Sequence, residues 1–298
     1  MVHHDVCPLC SSEKISFFLK CSDHFLTREV FELWHCSSCG FRFTQGYPEE
    51  TTIAKYYESE DYISHSSAKR NLSEKIYHFA RRIMLREKRS LTENMTGLNK
   101  GELLDIGCGT GHFAGIMKEA GWEVKGIEIN AKARKFAIDN FGLDVASPES
   151  ISELKDSGFD CITLWHVLEH FHDPFMYSRE IFRLLKPGGI SIVALPNSGS
   201  SDAENYGRFW AAYDVPRHLW HFNPASFSTF SEKGGFSLQE IKALPLDVFY
   251  ISYLSRKYRG NPAPFLIGII RALPWAIQSL FKREKSSSLI YILRKPDK

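Results

Sequence analysis

Four cysteines fall into two C-x-x-C knuckles, Cys7-Pro-Leu-Cys10 and Cys36-Ser-Ser-Cys39, and Gly40 follows the second. Two residues between cysteines let both sulfurs face one ion from a tight turn, and glycine permits the left-handed backbone such a turn needs. Four thiolates satisfy a tetrahedral zinc and leave no open position, so the expected role of Cys7, Cys10, Cys36 and Cys39 is structural. Four unrelated buried cysteines are the alternative. A redox pair fits poorly, because neither knuckle opens a helix in a strand–helix–strand unit.

A second constellation is Asp105-Ile-Gly107-Cys108-Gly109-Thr-Gly111, which follows the short apolar run from Glu102 to Ile106. Its glycines run G-x-G-x-G after an acid, unlike the G-x-G-x-x-G of dinucleotide sites, and the absence of a phosphate-binding lysine excludes a P-loop. An acid at a strand end repels a pyrophosphate and suits a ligand with an ammonium group. Further on, Glu128 ends the next apolar run, where dinucleotide folds place a carboxylate on the ribose hydroxyls. A ligand with an amine, a ribose and no phosphate is S-adenosylmethionine.

Transfer of a methyl group from a sulfonium requires alignment of the acceptor and removal of its proton. Histidine, with an ordinary pKa of about 6.5, suits the second task. The candidate bases are His166, His170, His218 and His221, with Tyr62 next and His65, Tyr206 and Tyr213 behind. Glu169 and His170 have two other readings. They could join a downstream histidine around a second divalent metal that orients an acceptor hydroxyl, or brace the helix that begins at Asp173-Pro174.

These residues need elements to hold them. Strands are expected at 102–106, 123–128, 159–164 and 189–195, with helices from 112 to 120, 131 to 140 and 174 to 185 between them. That alternation predicts an α/β fold: a doubly wound, mostly parallel, Rossmann-like sheet whose ligands bind at the carboxyl ends of the strands. Three segments are expected: a zinc ribbon over 1–45, a connector with an amphipathic basic helix over 46–98, and a catalytic domain over 99–298. The last carries an aromatic and histidine-rich lid loop at 197–222. Asn223 and Pro224 open a further helix, a strand follows at 237–243, and Ser288 to Leu293 form the final strand. The apolar stretch 263–281 is expected to be a helix interrupted at Pro274. Arg271, Pro274 and Gln278 within it argue against a membrane span, leaving burial in the core or contact with a membrane surface.

With 298 residues, 43% hydrophobic and 24% charged, the chain has the balance of a folded globular protein, and a net charge of +2 does not by itself argue for nucleic acid. The first residues carry no secretory pattern, so a reducing compartment without a disulfide framework among the seven cysteines is expected, and the expected location is cytoplasmic.

Leu103 to Phe113, Gly126-Ile-Glu128, Phe159-Asp160, Trp165 to His170 and Leu184-Leu-Lys-Pro-Gly-Gly189, in that order, resemble the class I S-adenosylmethionine-dependent methyltransferases over residues 101–245. The preceding ribbon and tyrosine-rich connector resemble the subgroup of deoxysugar C-methyltransferases. The resemblance implies a seven-stranded sheet and roles residue by residue. Asp105 with the Gly107-Cys108-Gly109 turn holds the methionine part of the cofactor, Glu128 the ribose and Ile129 the adenine. Glu149 stands near the place where the family puts an acid on the adenine amine, and Leu164, Trp165 and His166 lie beside the sulfonium. The Glu169-His170 pair is also similar to that of ubiquinone-pathway O-methyltransferases and plant small-RNA 2′-O-methyltransferases, with His166 in place of their first glutamate.

Three function classes follow from these readings. The leading one is methylation of a small-molecule acceptor, a sugar or other small metabolite, with a histidine base and S-adenosylhomocysteine as product. Methylation of RNA through the ribbon and the basic face Arg81, Arg82, Arg86, Lys88 and Arg89 is disfavoured by the near-neutral charge. A non-catalytic module that binds S-adenosylmethionine is disfavoured by the intact Asp105, glycine turn and Glu128.

Overall fold

The computed structural model describes residues 1–57 and 72–297, so Tyr62 and His65 lie outside the described residues. The chain begins with an antiparallel sheet of β1 (Ile15–Ser22), β2 (Val30–Cys36) and β3 (Arg42–Gln45). Helix α1 (Leu72–Thr96) follows and leads into alternating strands and helices. These are β4 (Glu102–Ile106), α2 (His112–Glu119), β5 (Glu123–Ile127), α3 (Ala131–Phe141), β6 (Asp144–Ala146), β7 (Phe159–Trp165), α4 (Pro174–Leu184) and β8 (Leu185–Pro196). The remainder comprises α5 (Ser201–Tyr206), β9 (Trp220–His221), α6 (Pro224–Lys233), β10 (Ser237–Ala243), α7 (Asp247–Tyr258), α8 (Pro264–Phe281) and β11 (Ser288–Arg294).

The central sheet has seven strands in the order β10-β11-β8-β7-β4-β5-β6, parallel except for its β11 and β10 edge. Central strands read as unbroken apolar runs because helices cover both faces: Cys161, Ile162, Thr163 and Leu164 of β7 are all buried. Strand β8 starts earlier than the sequence suggests. Leu185 pairs with Phe159, and a bulge absorbs Lys186 to Gly189 before Ile190 pairs with Cys161.

The second half adds to both sheets. Within the aromatic loop β9 is the fourth strand of the N-terminal sheet, with Phe43 opposite Trp220 and Arg42 opposite His221. Trp210, Tyr213, Trp220 and Phe222 are all buried, so the loop's aromatics serve packing. The indole N–H of Trp210 donates to Asp202 (2.7 Å), and that of Trp220 to the Phe171 carbonyl (2.6 Å). Helix α8 continues through Pro274, which sits on an exposed side where water can reach the carbonyl left without a donor. Helix α7 has no counterpart in the sequence reading.

The two sheets share a core. Cys36, Phe41, Phe43 and Trp220 pack in one cluster with Leu104, Ile106, Leu164 and Val193. Arg217, at 1% exposure, ties the layers electrostatically. It donates to Asp23 (2.8 Å) in the turn after β1, to both oxygens of Asp214 (2.9 and 2.6 Å) and to the Tyr56 carbonyl (3.0 Å).

Candidate active site

The glycine turn closes against the end of β5. The Gly107 and Cys108 amides donate to the Ile127 carbonyl (2.7 and 3.1 Å), and Gly107, Gly109 and Gly111 all take positive φ. A Cβ on Gly107 would drive into Val167, whereas one on Gly109 would meet nothing within 4 Å. The space above Gly109 is therefore open to a ligand. Glu128 bounds it: one carboxylate oxygen accepts from the Gly109 amide and the other from the Asn130 amide, each at 2.8 Å. Ile129 beyond it is 79% exposed, Glu149 is exposed, and Leu164 is fully buried beneath.

Asp105 sits under the turn, buried, with Thr163 Oγ1 donating to it at 2.7 Å. Burial pushes its carboxyl up, the Thr163 hydrogen bond and Lys88 oppose this, and Glu128 adds to it, leaving a pKa of about 7. Lys88 reaches in from α1 over the Trp165 ring, 4.1 Å from its centroid, and burial holds its ammonium below the usual range despite Asp105 and Asp247. Of the other basic side chains described on that helix, Arg81 contacts His112, Arg89 pairs with Glu93, and Arg82 and Arg86 are exposed.

Beyond Trp165 the chain makes a strained step, with His166 at φ +58°. Its ring lies between two acids, Nε2 3.1 Å from Asp247 and Nδ1 3.7 Å from Glu169. Burial opposes protonation, but the Asp247 and Glu169 interactions outweigh it and raise the pKa to about 9. At neutral pH His166 is an imidazolium, a fixed charge and not a free base. His170 is the opposite case, lowered to about 4 by burial and by neighbouring His218. Its Nδ1 donates to the Arg217 carbonyl at 3.1 Å, and His218 Nδ1 donates to the Ala212 carbonyl at 2.8 Å. These bonds leave each Nε2 turned away from its carbonyl partner, that of His218 lying 4.0 Å from Asp214. Glu169 is 1% exposed, and neither oxygen has a hydrogen-bond donor among the described residues. Burial raises its pKa, but His166, His218 and His170 together hold it below the usual range, so it is ionised. One ligand atom each from Glu169, His170 and His218 lie within 4.8 Å of one another.

A cavity of about 370 Å³ opens beside Glu169 and His218, while His170 lies behind its wall. Its polar lining includes His166, Glu169, Asp214, Arg217, His218 and Asp247, and its apolar lining includes Ala211, Ala212, Ile251 and Leu254, with Phe25 contributed by the N-terminal segment.

A family model described as a methyltransferase domain matches residues 76–241, more than half of the chain. The chain belongs to the class I S-adenosylmethionine-dependent methyltransferases. Ubiquinone biosynthesis O-methyltransferases are among its curated relatives. That of Alkalilimnicola ehrlichii is 37% identical over 194 residues (56% of this chain, 76% of the relative), and that of Nitrosococcus oceani 30% over 181 (56% and 74%). The match to the Maricaulis maris enzyme, 31% over 150 residues, spans only 59% of that relative's length. Among solved structures, one described as a sarcosine dimethylglycine methyltransferase from Galdieria sulphuraria aligns with a TM-score of 0.52 at 16% identity, covering 72% of this chain and 86% of that one. The cyclase SpnF aligns with a TM-score of 0.50 at 21% identity, covering 70% and 80%. Likeness at these identities carries the fold alone.

Within this methyltransferase the structure gathers Asp105, the glycine turn and Glu128 at the carboxyl ends of β4 and β5. It sets Trp165 at the end of β7 and His166, His170 and His218 beyond it. His221 stands apart. It is buried in the N-terminal sheet with its Nε2 3.0 Å from Thr44 Oγ1, and it does not line the cavity. Asp247 and the role of Lys88 escape sequence reasoning. Asp247 follows an unremarkable strand and carries no motif, and Lys88 is one of six lysines and arginines on a helix with no mark of which faces inward.

The four-cysteine group fits zinc. Cys7 and Cys39 sulfurs are 3.7 Å apart, Cys10 and Cys36 sulfurs 3.6 Å, and all four lie within 4.8 Å of one another. Zinc–sulfur bonds of about 2.3 Å in a tetrahedron place sulfurs about 3.8 Å apart. Ser11 (φ +61°) takes in the first knuckle the left-handed position that Gly40 (φ +72°) takes in the second. Bound there, zinc cross-links the ends of the ribbon.

Proposed function

We propose that this chain transfers the methyl group of S-adenosylmethionine to a hydroxyl of a small-molecule acceptor, a sugar or other small metabolite, held in the cavity beyond β7. The observation that carries this reading is the cluster of Glu169, His170 and His218. A buried ionised carboxylate without a hydrogen-bond donor among the described residues and two imidazoles that bond backbone carbonyls through Nδ1 form a set of ligands for a divalent cation. When bound, such a cation orients an acceptor hydroxyl and lowers its pKa. The curated relatives are named as O-methyltransferases, which supports oxygen as the acceptor atom.

The chain's own residues supply alignment and charge. Asp105 and the Gly107-Cys108-Gly109 turn would hold the methionine part of the cofactor, and Asp105 in its ionised form would accept from the ammonium. Each Glu128 oxygen keeps a lone pair beyond its backbone hydrogen bond, available to a ribose hydroxyl. Ile129 would cover the adenine, with Glu149 near its amine. Leu164, Trp165 and His166 would wall the sulfonium. The His166 imidazolium, held by Asp247, fixes the Glu169 carboxylate beside the cavity. The acceptor oxygen forms a bond to the methyl carbon as the carbon–sulfur bond breaks. Its proton passes to water in the cavity, and the cofactor departs as the neutral thioether.

Elemental analysis after equilibration with zinc and magnesium tests the reading. Two metal equivalents are expected in the intact chain, one of them lost in His170→Ala and retained in Cys36→Ser. A second reading rests on the His218 Nδ1 bond to Ala212, which presents Nε2 as a general base without metal. Full activity after chelation of the second equivalent, abolished by His218→Ala, would favour that alternative.

A further inference from the structure

Helix α8 buries one narrow face and leaves the other in water. Gly268, Ala272 and Ser279 are buried, and the Cβ that Gly268 lacks would meet the Tyr253 backbone of α7 at 2.8 Å. On the opposite side Leu266, Ile270, Leu273, Ile277 and Leu280 recur every three or four residues, each between 47% and 67% exposed. Phe265 and Phe281 extend this row at its ends. A continuous row of this size marks a surface that is covered in use.

The charge around the row indicates what covers it. Arg256, Lys257 and Arg259 stand before the helix, Lys282, Arg283 and Lys285 after it, and Arg271 within it, against Glu284 as the one acid from 256 to 285. Seven positive and one negative charge make this segment +6 in a chain of +2. Arg283 and Lys285 reach Glu240 and Glu204, but Lys257, Arg271 and Lys282 have no carboxylate partner among the described residues. The 18 residues of α8 span about 27 Å and are apolar enough, by length and composition, to cross a bilayer. The seam with α7 and the mid-helix Arg271 and Pro274 instead suit a helix lying flat.

We infer that α8 seats the chain on the surface of an anionic phospholipid bilayer. Its apolar row enters the boundary between headgroups and acyl chains, and the basic clusters meet the lipid phosphates. A second copy docked face to face would bring two +6 segments together, which disfavours a dimer as the cover. Helix α7 separates α8 from the cavity and lines it with Tyr250, Ile251 and Leu254, so a docked chain holds its cavity one helix away from the lipid. This surface does not depend on the identity of the acceptor.

Flotation of the full chain with vesicles of phosphatidylcholine, and with an equal mixture of phosphatidylcholine and phosphatidylglycerol, tests the inference. The chain should float with the mixed vesicles and be released by salt. Lys257→Ala with Lys282→Ala should weaken partitioning into the mixed vesicles by roughly 25-fold, about fivefold per lysine. Ile270→Glu with Ile277→Glu should abolish flotation while S-adenosylhomocysteine binding is kept. If that variant fails to fold, the wild-type comparison of the two vesicle types and the lysine variant still decide. Failure of the wild type to float at low salt overturns the inference, as does indifference to phosphatidylglycerol. A wild-type dimer dissociated by the glutamates would assign the face to a second copy.

Discussion

The buried carboxyl of Asp105 makes cofactor affinity depend on pH. Its pKa of about 7 arises first from burial, with Thr163, Lys88 and Glu128 as the groups that modulate it. An ammonium group can pair only with the ionised form. Below the pKa, affinity for S-adenosylhomocysteine should therefore fall about tenfold per pH unit. From about pH 7.5 to about pH 5.5 the loss is roughly 25-fold, or about 2 kcal/mol, and above about pH 8 affinity should level off. The sign for stability is the reverse. A carboxyl raised above its unfolded value stabilises the unliganded fold while protonated, and that contribution is lost as pH rises from about 4 through about 7. Calorimetric titration in buffers of different ionisation enthalpy reads both the affinity and the proton released, which should approach one per ligand near pH 6. Asp105→Asn should bind more weakly and with little pH dependence. Affinity that stays flat in the wild type over this range, or an Asn variant that keeps the full slope, would refute the assignment of Asp105 to the cofactor amine.

Glu128→Gln should not behave conservatively, because two backbone amides face its oxygens and an amide side chain accepts with only one; a loss of about 1–3 kcal/mol in cofactor affinity is expected by calorimetry. Cys36→Ser should lose the structural zinc and, since Cys36 packs in the core shared with Leu104 and Leu164, lower the melting temperature of the whole chain in a single transition. Arg217→Met leaves Asp214 and Asp23 without their buried cation, and denaturant unfolding should show a loss of about 3–5 kcal/mol. Gly107→Ala should abolish cofactor binding, because its Cβ collides with Val167 and the turn needs positive φ.

The methyltransferase fold and the cofactor half of the site were legible in the chain because local chemistry dictates them. Strand periodicity, a glycine turn at a strand end, and acids at 105 and 128 are short-range signals, and the C-x-x-C spacing sets its own geometry. The acceptor half is built from residues far apart in sequence. His166 is a base or a fixed charge depending on whether an acid faces it, and only the folding of α7 brings Asp247 within 3.1 Å. His218 and His221 read alike in sequence, yet the pairing of β9 with β3 buries one in a sheet and leaves the other on the cavity. Composition reports the residue types of the aromatic loop without their partners, and its rings pack inward because a fourth strand is added to the ribbon. Pattern and spacing determine what each segment of this chain can become. Long-range pairing decides which histidine is charged, which is walled in, and where the acceptor has room.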